Sequence, residues 1–160
     1  MGIKVRLLRE RDYNQVRRVD ILTQKQYLGK AWNNLSSIDK ENHLITRKSE
    51  FTINIKSGYC LVACFNNEIL GFIFAHQDRD FKGDLYIRHI AIIPKYQGKG
   101  IGVLLYKDLI KRAQKNGLKK IHVLINLDNP SSIKLHKKVG FILKDRKEAT
   151  LLLEYNETNE

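Results

Sequence analysis

Gln97-Gly98-Lys99-Gly100-Ile101-Gly102 lies between an apolar run, IAIIP (90–94), and an amphipathic run that begins at Val103. Three glycines in five positions are costly to order, so a turn built from them must use the freedom they provide. A strand before it and a helix behind it make the setting in which such a turn binds anions. The first amides of a helix have no intrahelical acceptor, and the helix dipole adds partial positive charge there. Lys95 and Lys99 add more. The spacing is G-x-G-x-G rather than the G-x-G-x-x-G of dinucleotide folds, and no Gly-Lys-Ser/Thr ending makes it a Walker loop. A glycine-rich turn without a ligand is the bland alternative.

Other reactive side chains carry less. Five scattered histidines include no HExxH and no ligand-spaced pair, so no metal is expected. Cys60 and Cys64 stand four apart in an apolar strand, which puts both on one side as buried free thiols; the spacing is neither redox nor zinc-binding. Net charge is +12 with pI near 9.7, which favours acidic partners such as nucleic acid, phosphorylated cofactors or acidic protein tails. The basic residues are dispersed, so a solvated basic surface explains part of this charge. The N-terminus, MGIKVRLLRERD, lacks a secretion-signal core, and no apolar run approaches a membrane span. A cytoplasmic location, away from membranes, is expected.

These residues need elements to place them. At 160 residues the chain is read as one domain, 1–160. IKVRLL (3–8) alternates as a first strand, and Arg11 to Leu28 carries a loose helical stripe. Gly29 to Ser37, around Trp32, reads as a loop or short helix, and Asp39 to Ile55 as a second helix. Tyr59 to Phe65 and Ile69 to His76 form a hairpin about Asn66-Asn67. Leu85 to Ile93 is a long strand closed by Pro94, and Gly102 to Asn116 is the clearest helix, stopped by Gly117. Ile121 to Ile125 is a short strand. Pro130 to Val139 is a helix with Asn129 as its N-cap and proline at its first position. Ala149 to Tyr155 reads as a last strand. The order β-α-α-β-β-β-α-β-α-β describes a mixed sheet flanked by helices.

The same residues resemble a known family. Gln97-x-x-Gly100-x-Gly102, with Ile90-Ala91-Ile92-x-Pro94-x-Tyr96 before it, is similar to the motif and strand of the GCN5-related N-acetyltransferases. Asn129-Pro130-Ser131-Ser132-Ile133-Lys134-Leu135-His136-Lys137-Lys138-Val139-Gly140-Phe141 is similar to their second pattern, in the right order. The resemblance implies an α+β domain with a central, mostly antiparallel, twisted sheet of six to seven strands and about four flanking helices. It implies acetyl-CoA as co-substrate, with no metal. The pyrophosphate would rest on the amides from Gly98 to Val103, that is Gly98, Lys99, Gly100, Ile101, Gly102 and Val103, beside Gln97. The pantetheine arm would pair with Ile90, Ala91 and Ile92, in a splay beside 121–125. Asn129, Ser132 and His136 would meet the arm or the loop beneath it.

Acetyl transfer needs a neutral amine, a stabilised oxyanion and a proton for the departing thiolate. The resemblance implies that the Ile92 N–H polarises the thioester and that His136, standing where the family often has tyrosine, is the candidate general acid. The base is open. Leu124 occupies the position of one subfamily's glutamate and cannot serve. Strand alternation sets Tyr86, Arg88, Ile90 and Ile92 on one side and Ile87, His89, Ala91 and Ile93 on the other; the resemblance implies a base on the side of Tyr86 and Arg88, which turns His89 away from the acetyl group. Asn126 could hold a water.

The leading expectation is an N-acetyltransferase for a primary amine, as a monomer or homodimer. A polypeptide N-terminus or lysine is mildly preferred to a small amine, because a +12 surface repels cationic small molecules. A catalytically weak CoA-binding regulatory module is the alternative. A nucleic-acid-binding protein ranks lower, since interleaved aromatics, a helix-turn-helix and a zinc finger are all missing.

Overall fold

Alternating residues build a sheet whose two faces each need cover. The computed structural model describes residues 2–147 and 149–150. Among these residues five strands, β1 (Lys4–Leu7), β2 (Leu61–Phe65), β3 (Glu68–Gln77), β4 (Asp84–Ile92) and β5 (Lys120–Val123), lie in the order β1-β2-β3-β4-β5. The first three pairings are antiparallel, and β4 pairs with β5 in parallel. Five strands are fewer than the six to seven expected; the expected last strand, 149–155, falls mostly outside the described residues.

Six helices accompany the sheet among the described residues: α1 (Tyr13–Leu28), α2 (Ala31–Asn34), α3 (Ser37–His43), α4 (Lys48–Ile55), α5 (Ile101–Lys115) and α6 (Pro130–Val139). α1 and α4 cover one face, where Val16, Val19 and Phe51 meet Val62, Cys64, Phe72, Phe74, Ala91 and Ile93. α5 covers the other, where Leu105, Tyr106 and Leu109 meet Leu61, Ala63, Ile73, Leu85 and Ile87. Each buried Val, Leu, Ile or Phe among them contributes about 1.5–3 kcal/mol by leaving water. Cys60 and Cys64 are buried free thiols on the α1 face, and burial pushes both upward from the ordinary thiol range. No described helix is long and apolar enough to cross a membrane.

Two departures from expectation matter for the site. The single helix expected from Asp39 to Ile55 is two, because Leu44 and Thr46 turn inward between them. The Thr46 N–H and hydroxyl both donate to Asp20 Oδ2, at 2.9 and 2.7 Å, which holds that break against α1. No proline or glycine marks it in the sequence.

The second departure is a β-bulge. Phe74 pairs with His89 and Ala75 with Ile87, which leaves Arg88 as the extra residue of β4. Alternation therefore changes phase within the strand. Leu85, Ile87, Ile90 and Ile92 all pack on the α5 face. The His89 ring lies against Phe72 on the α1 face, and Arg88 reaches Glu50 of α4 at 3.2 Å. The expected grouping of Ile90 and Ile92 with Tyr86 and Arg88 is corrected by this insertion, and so is the separation of His89 from Tyr86.

Candidate active site

The glycine turn is open to a ligand. After one 3-10 turn at Pro94–Tyr96, Gly98 and Gly100 take φ values of 75° and 84°, the left-handed region that glycine enters without strain. A Cβ built on either would meet nothing within 4 Å. Gly102 answers a different need. A Cβ there would stand 2.9 Å from Leu135 and 3.3 Å from Ile92, so this glycine lets α5 pack against α6 and β4.

Gly100 caps α5 without a side chain, and the first intrahelical bond runs from Leu104 N–H to Gly100 C=O at 3.1 Å. Among the described residues, the amides from Gly98 to Val103 donate to no protein acceptor. Together with the helix dipole they make a cradle of the kind that suits an anion. Lys95 and Lys99 flank it, with their ammonium groups 4.8 and 5.1 Å from the Tyr96 ring centre.

Next to the cradle runs an unpaired strand edge. Ile93 N–H donates to Leu70 C=O, which makes 70/93, 72/91 and 74/89 the hydrogen-bonded pairs of the β3–β4 ladder. Ile90 and Ile92 therefore turn their N–H and C=O groups to the opposite edge, while Ala91 bonds β3. β5 follows that edge only to the Ile87–Val123 pair, ending short of the Ile125 expected. Beyond it the edge has no strand partner among the described residues. The Ile92 carbonyl accepts from Gln97 Nε2 at 3.0 Å, and Gln97 also exchanges amide hydrogen bonds with Gln26. Gln97 thus braces the corner between β4 and α1.

Other expected site residues are placed as follows. Asn129 Oδ1 accepts from Ser132 N–H at 3.0 Å, which caps α6. Asn126 Nδ2 donates to the Tyr27 hydroxyl at 3.5 Å, and that hydroxyl donates to Asp128 at 3.1 Å. His136 is fully buried. Its Nδ1–H donates to Ser132 C=O at 2.7 Å, and its Nε2 accepts from the Tyr106 hydroxyl at 2.5 Å. Phe141 and Tyr106 pack against the ring edge-on. Burial pushes the imidazole below its ordinary range, offset in part by the Ser132 bond, and burial raises the Tyr106 hydroxyl. The acid role expected of His136 finds no free ring nitrogen in this arrangement.

The bulge supplies what spacing did not reveal. His89 is half-buried on the α1 face, with Nε2 4.0 Å from Asp20 Oδ1. Asp20 is fully buried, and no described donor reaches that oxygen. On the same face as Tyr86 a cavity of about 310 Å³ opens, lined by Asp78, Phe81, Tyr86, His122, Leu124 and Arg146. His122 Nε2 stands 2.9 Å from Asp78, whose carboxyl is held below its usual range by the backbone N–H of Asp80, helped by Phe81 and His122. No described group of side chains could hold a metal. Asp20, Gln26, Tyr27 and Arg146 were invisible as site residues, since each is brought in from a distant segment without a motif.

Comparison with known proteins settles the family. The model of the acetyltransferase (GNAT) family matches residues 25–141. The chain belongs to that family. As a GNAT protein it is similar to L-2,4-diaminobutyric acid acetyltransferase of Vibrio parahaemolyticus, 32% identical over 72 residues, 45% of this chain and 40% of that one. It is also similar to the L-methionine sulfoximine/L-methionine sulfone acetyltransferase of Pseudomonas aeruginosa, 32% identical over 102 residues, 61% of this chain and 59% of that one. The chain thus spans about half the length of these relatives. Among solved structures, the PaiA N-acetyltransferase of Thermoplasma acidophilum in complex with coenzyme A shares its fold, with TM-score 0.79, 19% identity, and coverage of 92% of this GNAT chain and 94% of that one.

Proposed function

We propose that this chain transfers the acetyl group of acetyl-CoA to the amine of a small acceptor that also carries a carboxylate, an amino acid or a near relative of one. The observation that carries the reading is the cradle of free amides from Gly98 to Val103 beside the unpaired β4 edge at Ile90 and Ile92. A long thioester with a pyrophosphate needs both.

In this reading the cradle receives the pyrophosphate, with Lys95 and Lys99 adding charge. The pantetheine arm pairs with the backbone of Ile90 and Ile92 as an added strand would, and Ala91 contributes its side chain only. The Ile92 N–H polarises the thioester carbonyl and stabilises the oxyanion. Gln97 and Asn129 hold the frame, Ser132 and His136 pack beneath it, and Asn126 Oδ1 positions water at the mouth. The leaving thiolate takes its proton through water from the nitrogen of the tetrahedral adduct, so His136 is not required as an acid.

The acceptor rests on separate grounds. The cavity beside Tyr86 has the size of a small-molecule site, and Arg146 in its wall suits a carboxylate. Two relatives are named for acetylating amino acids or amino-acid analogues. A net charge of +12 attracts a carboxylate where it repels a polyamine.

The test is thiol release from acetyl-CoA with free L-amino acids, their carboxamides, and peptides offering an N-terminal amine or lysine. Free amino acids should turn over fastest, and Arg146→Ala should raise their KM. Faster turnover of peptides would move the acceptor to a polypeptide. Acetyl-CoA that stabilises the protein against heat without any turnover would leave a CoA-binding module.

A further inference from the structure

Asp20 and His89 form a pair that the fold alone does not explain. Asp20 Oδ2 is saturated by the Thr46 N–H and hydroxyl. Its Oδ1 is fully buried without a donor among the described residues, and an unmet buried acceptor costs about 1–3 kcal/mol. His89 Nε2 at 4.0 Å is the cation-capable group beside it. That gap closes with a small turn of the imidazole, as catalytic hydrogen bonds often do when substrate binds. A proton on Nε2 directed at Oδ1 leaves the Nδ1 lone pair on the ring's other side. The His89 side chain is 28% exposed. His89 also sits at the bulge, one residue before Ile90, where the free edge begins. His136, by contrast, has both nitrogens bonded within the core.

We infer that His89 takes the proton from the acceptor's ammonium, and that Asp20 is the positioning residue that fixes its ring and tautomer. The inference rests on the acetyl-transfer reading above. The ammonium gives one proton to His89 Nδ1, and the neutral amine attacks the thioester carbon, forming the C–N bond. The adduct expels the thiolate, breaking the C–S bond. The adduct's second N–H proton passes to the thiolate through water, and His89 releases its proton to solvent.

The charged groups facing His89 are Asp20 from α1 and Arg88 on its own strand, the latter paired with Glu50 of α4; β3 presents the apolar Phe72. Burial lowers the imidazole below its ordinary range, Asp20 opposes that, and Arg88 adds to it. The ring is thus neutral, and able to accept a proton, at neutral pH.

The experiment measures kcat, KM and acetyl-CoA affinity from pH 6 to 10, with thermal midpoints alongside. At pH 7, His89→Gln should lower kcat/KM about 100- to 1000-fold, with acetyl-CoA affinity unchanged. The deficit should shrink above the acceptor amine's own pKa, where the amine needs no base. Imidazole should restore part of the turnover of His89→Ala. Asp20→Asn keeps an oxygen for Thr46 but directs an amide N–H₂ at Nε2, which forces the ring proton onto Nδ1. It should lower kcat about 10- to 100-fold by occupying the accepting nitrogen, and it should move the acidic limb of the profile to lower pH by removing a negative neighbour. A His89→Gln enzyme with wild-type kcat and pH profile would overturn the assignment, as would an Asp20→Asn enzyme that loses thermal stability alone. His89→Gln remains readable if Asp20→Asn fails to fold. Absence of turnover in the wild type would instead strike the acetyl-transfer reading itself.

Discussion

α5 and α6 both begin just beyond a strand, yet they treat their first amides in opposite ways. α6 starts with Asn129, whose side chain accepts from Ser132 N–H, and with Pro130, which has no N–H to satisfy. α5 starts with Gly100 in the left-handed region and no side-chain cap. A cap such as that of α6 is worth about 1 kcal/mol. Its omission at α5 leaves donors without a protein acceptor, so one helix start is closed by its own side chain and the other stays open. The histidines divide in the same way: His136 of α6 is fully bonded within the core, while His89 of the bulge faces an unmet carboxylate.

Gly100→Val should separate the two helix starts most sharply. It places a β-branched residue at φ 84° and fills the space over the cradle. Strain there is about 1–3 kcal/mol. Acetyl-CoA affinity should fall about 100-fold or more, equivalent to ~2.7 kcal/mol, by calorimetry on the folded variant. Affinity within a few-fold of wild type would mean that α5 does not hold the phosphates.

His136→Phe tests the other side. It leaves the buried Tyr106 hydroxyl without its acceptor and Ser132 C=O without its donor, so stability should fall by about 2 kcal/mol. Turnover per folded molecule should match the wild type at each pH from 6 to 9; a selective loss of kcat would support the acid role. The pH sign also follows. The folded imidazole lies below its ordinary value, so the unfolded chain binds the proton first as pH falls. Wild-type stability should be full above about pH 6.5 and decline below it as pH approaches the folded value. Urea midpoints at pH 7 and 5.5 should show a smaller decline for His136→Phe. His89, lowered in the same direction, keeps part of the slope.

Asn129→Ala should cost about 1 kcal/mol and leave acetyl-CoA affinity unchanged, in contrast to Gly100→Val. Urea denaturation and calorimetry on one preparation read both. A large loss of affinity would make Asn129 a ligand contact as well as a cap.

The contrast between helix starts was legible because its signals are local. Gly-x-Gly-x-Gly and Asn-Pro each state a backbone requirement within a few residues, and both helices begin within one residue of where that chemistry puts them. The bulge was not legible, because Tyr86 to Ile92 contains no glycine or proline to announce an inserted residue. Counting by twos through Arg88 then joined Tyr86 and Arg88 to the face of Ile90 and Ile92, and Ile87 to that of His89. The break at Leu44–Arg47 was hidden for a similar reason. It is held by Asp20, 26 residues before Thr46, a tertiary bond that overrides local helix preference. Gln97 and His136 show a further limit: a motif names a position, and their packing partners Gln26 and Tyr106 decide what the side chain does there.

Tyr27→Phe is the mildest probe of the comparison. Gln26 touches Gln97 at the end of β4, and Tyr27 touches Asp128 beyond β5, so consecutive residues of α1 bridge the gap that the free edge leaves open. Tyr27 is half exposed, and removing its hydroxyl should change stability by no more than about 0.5 kcal/mol. The bridge loses its hold on Asp128 without any change at either helix start. CoA should therefore leave faster while the cradle stays intact, a weakening of about twofold for ~0.5 kcal/mol, read as a higher off-rate in stopped-flow displacement. An unchanged off-rate would leave retention to the amides of α5 alone, because the uncapped start would then hold the ligand without help from α1.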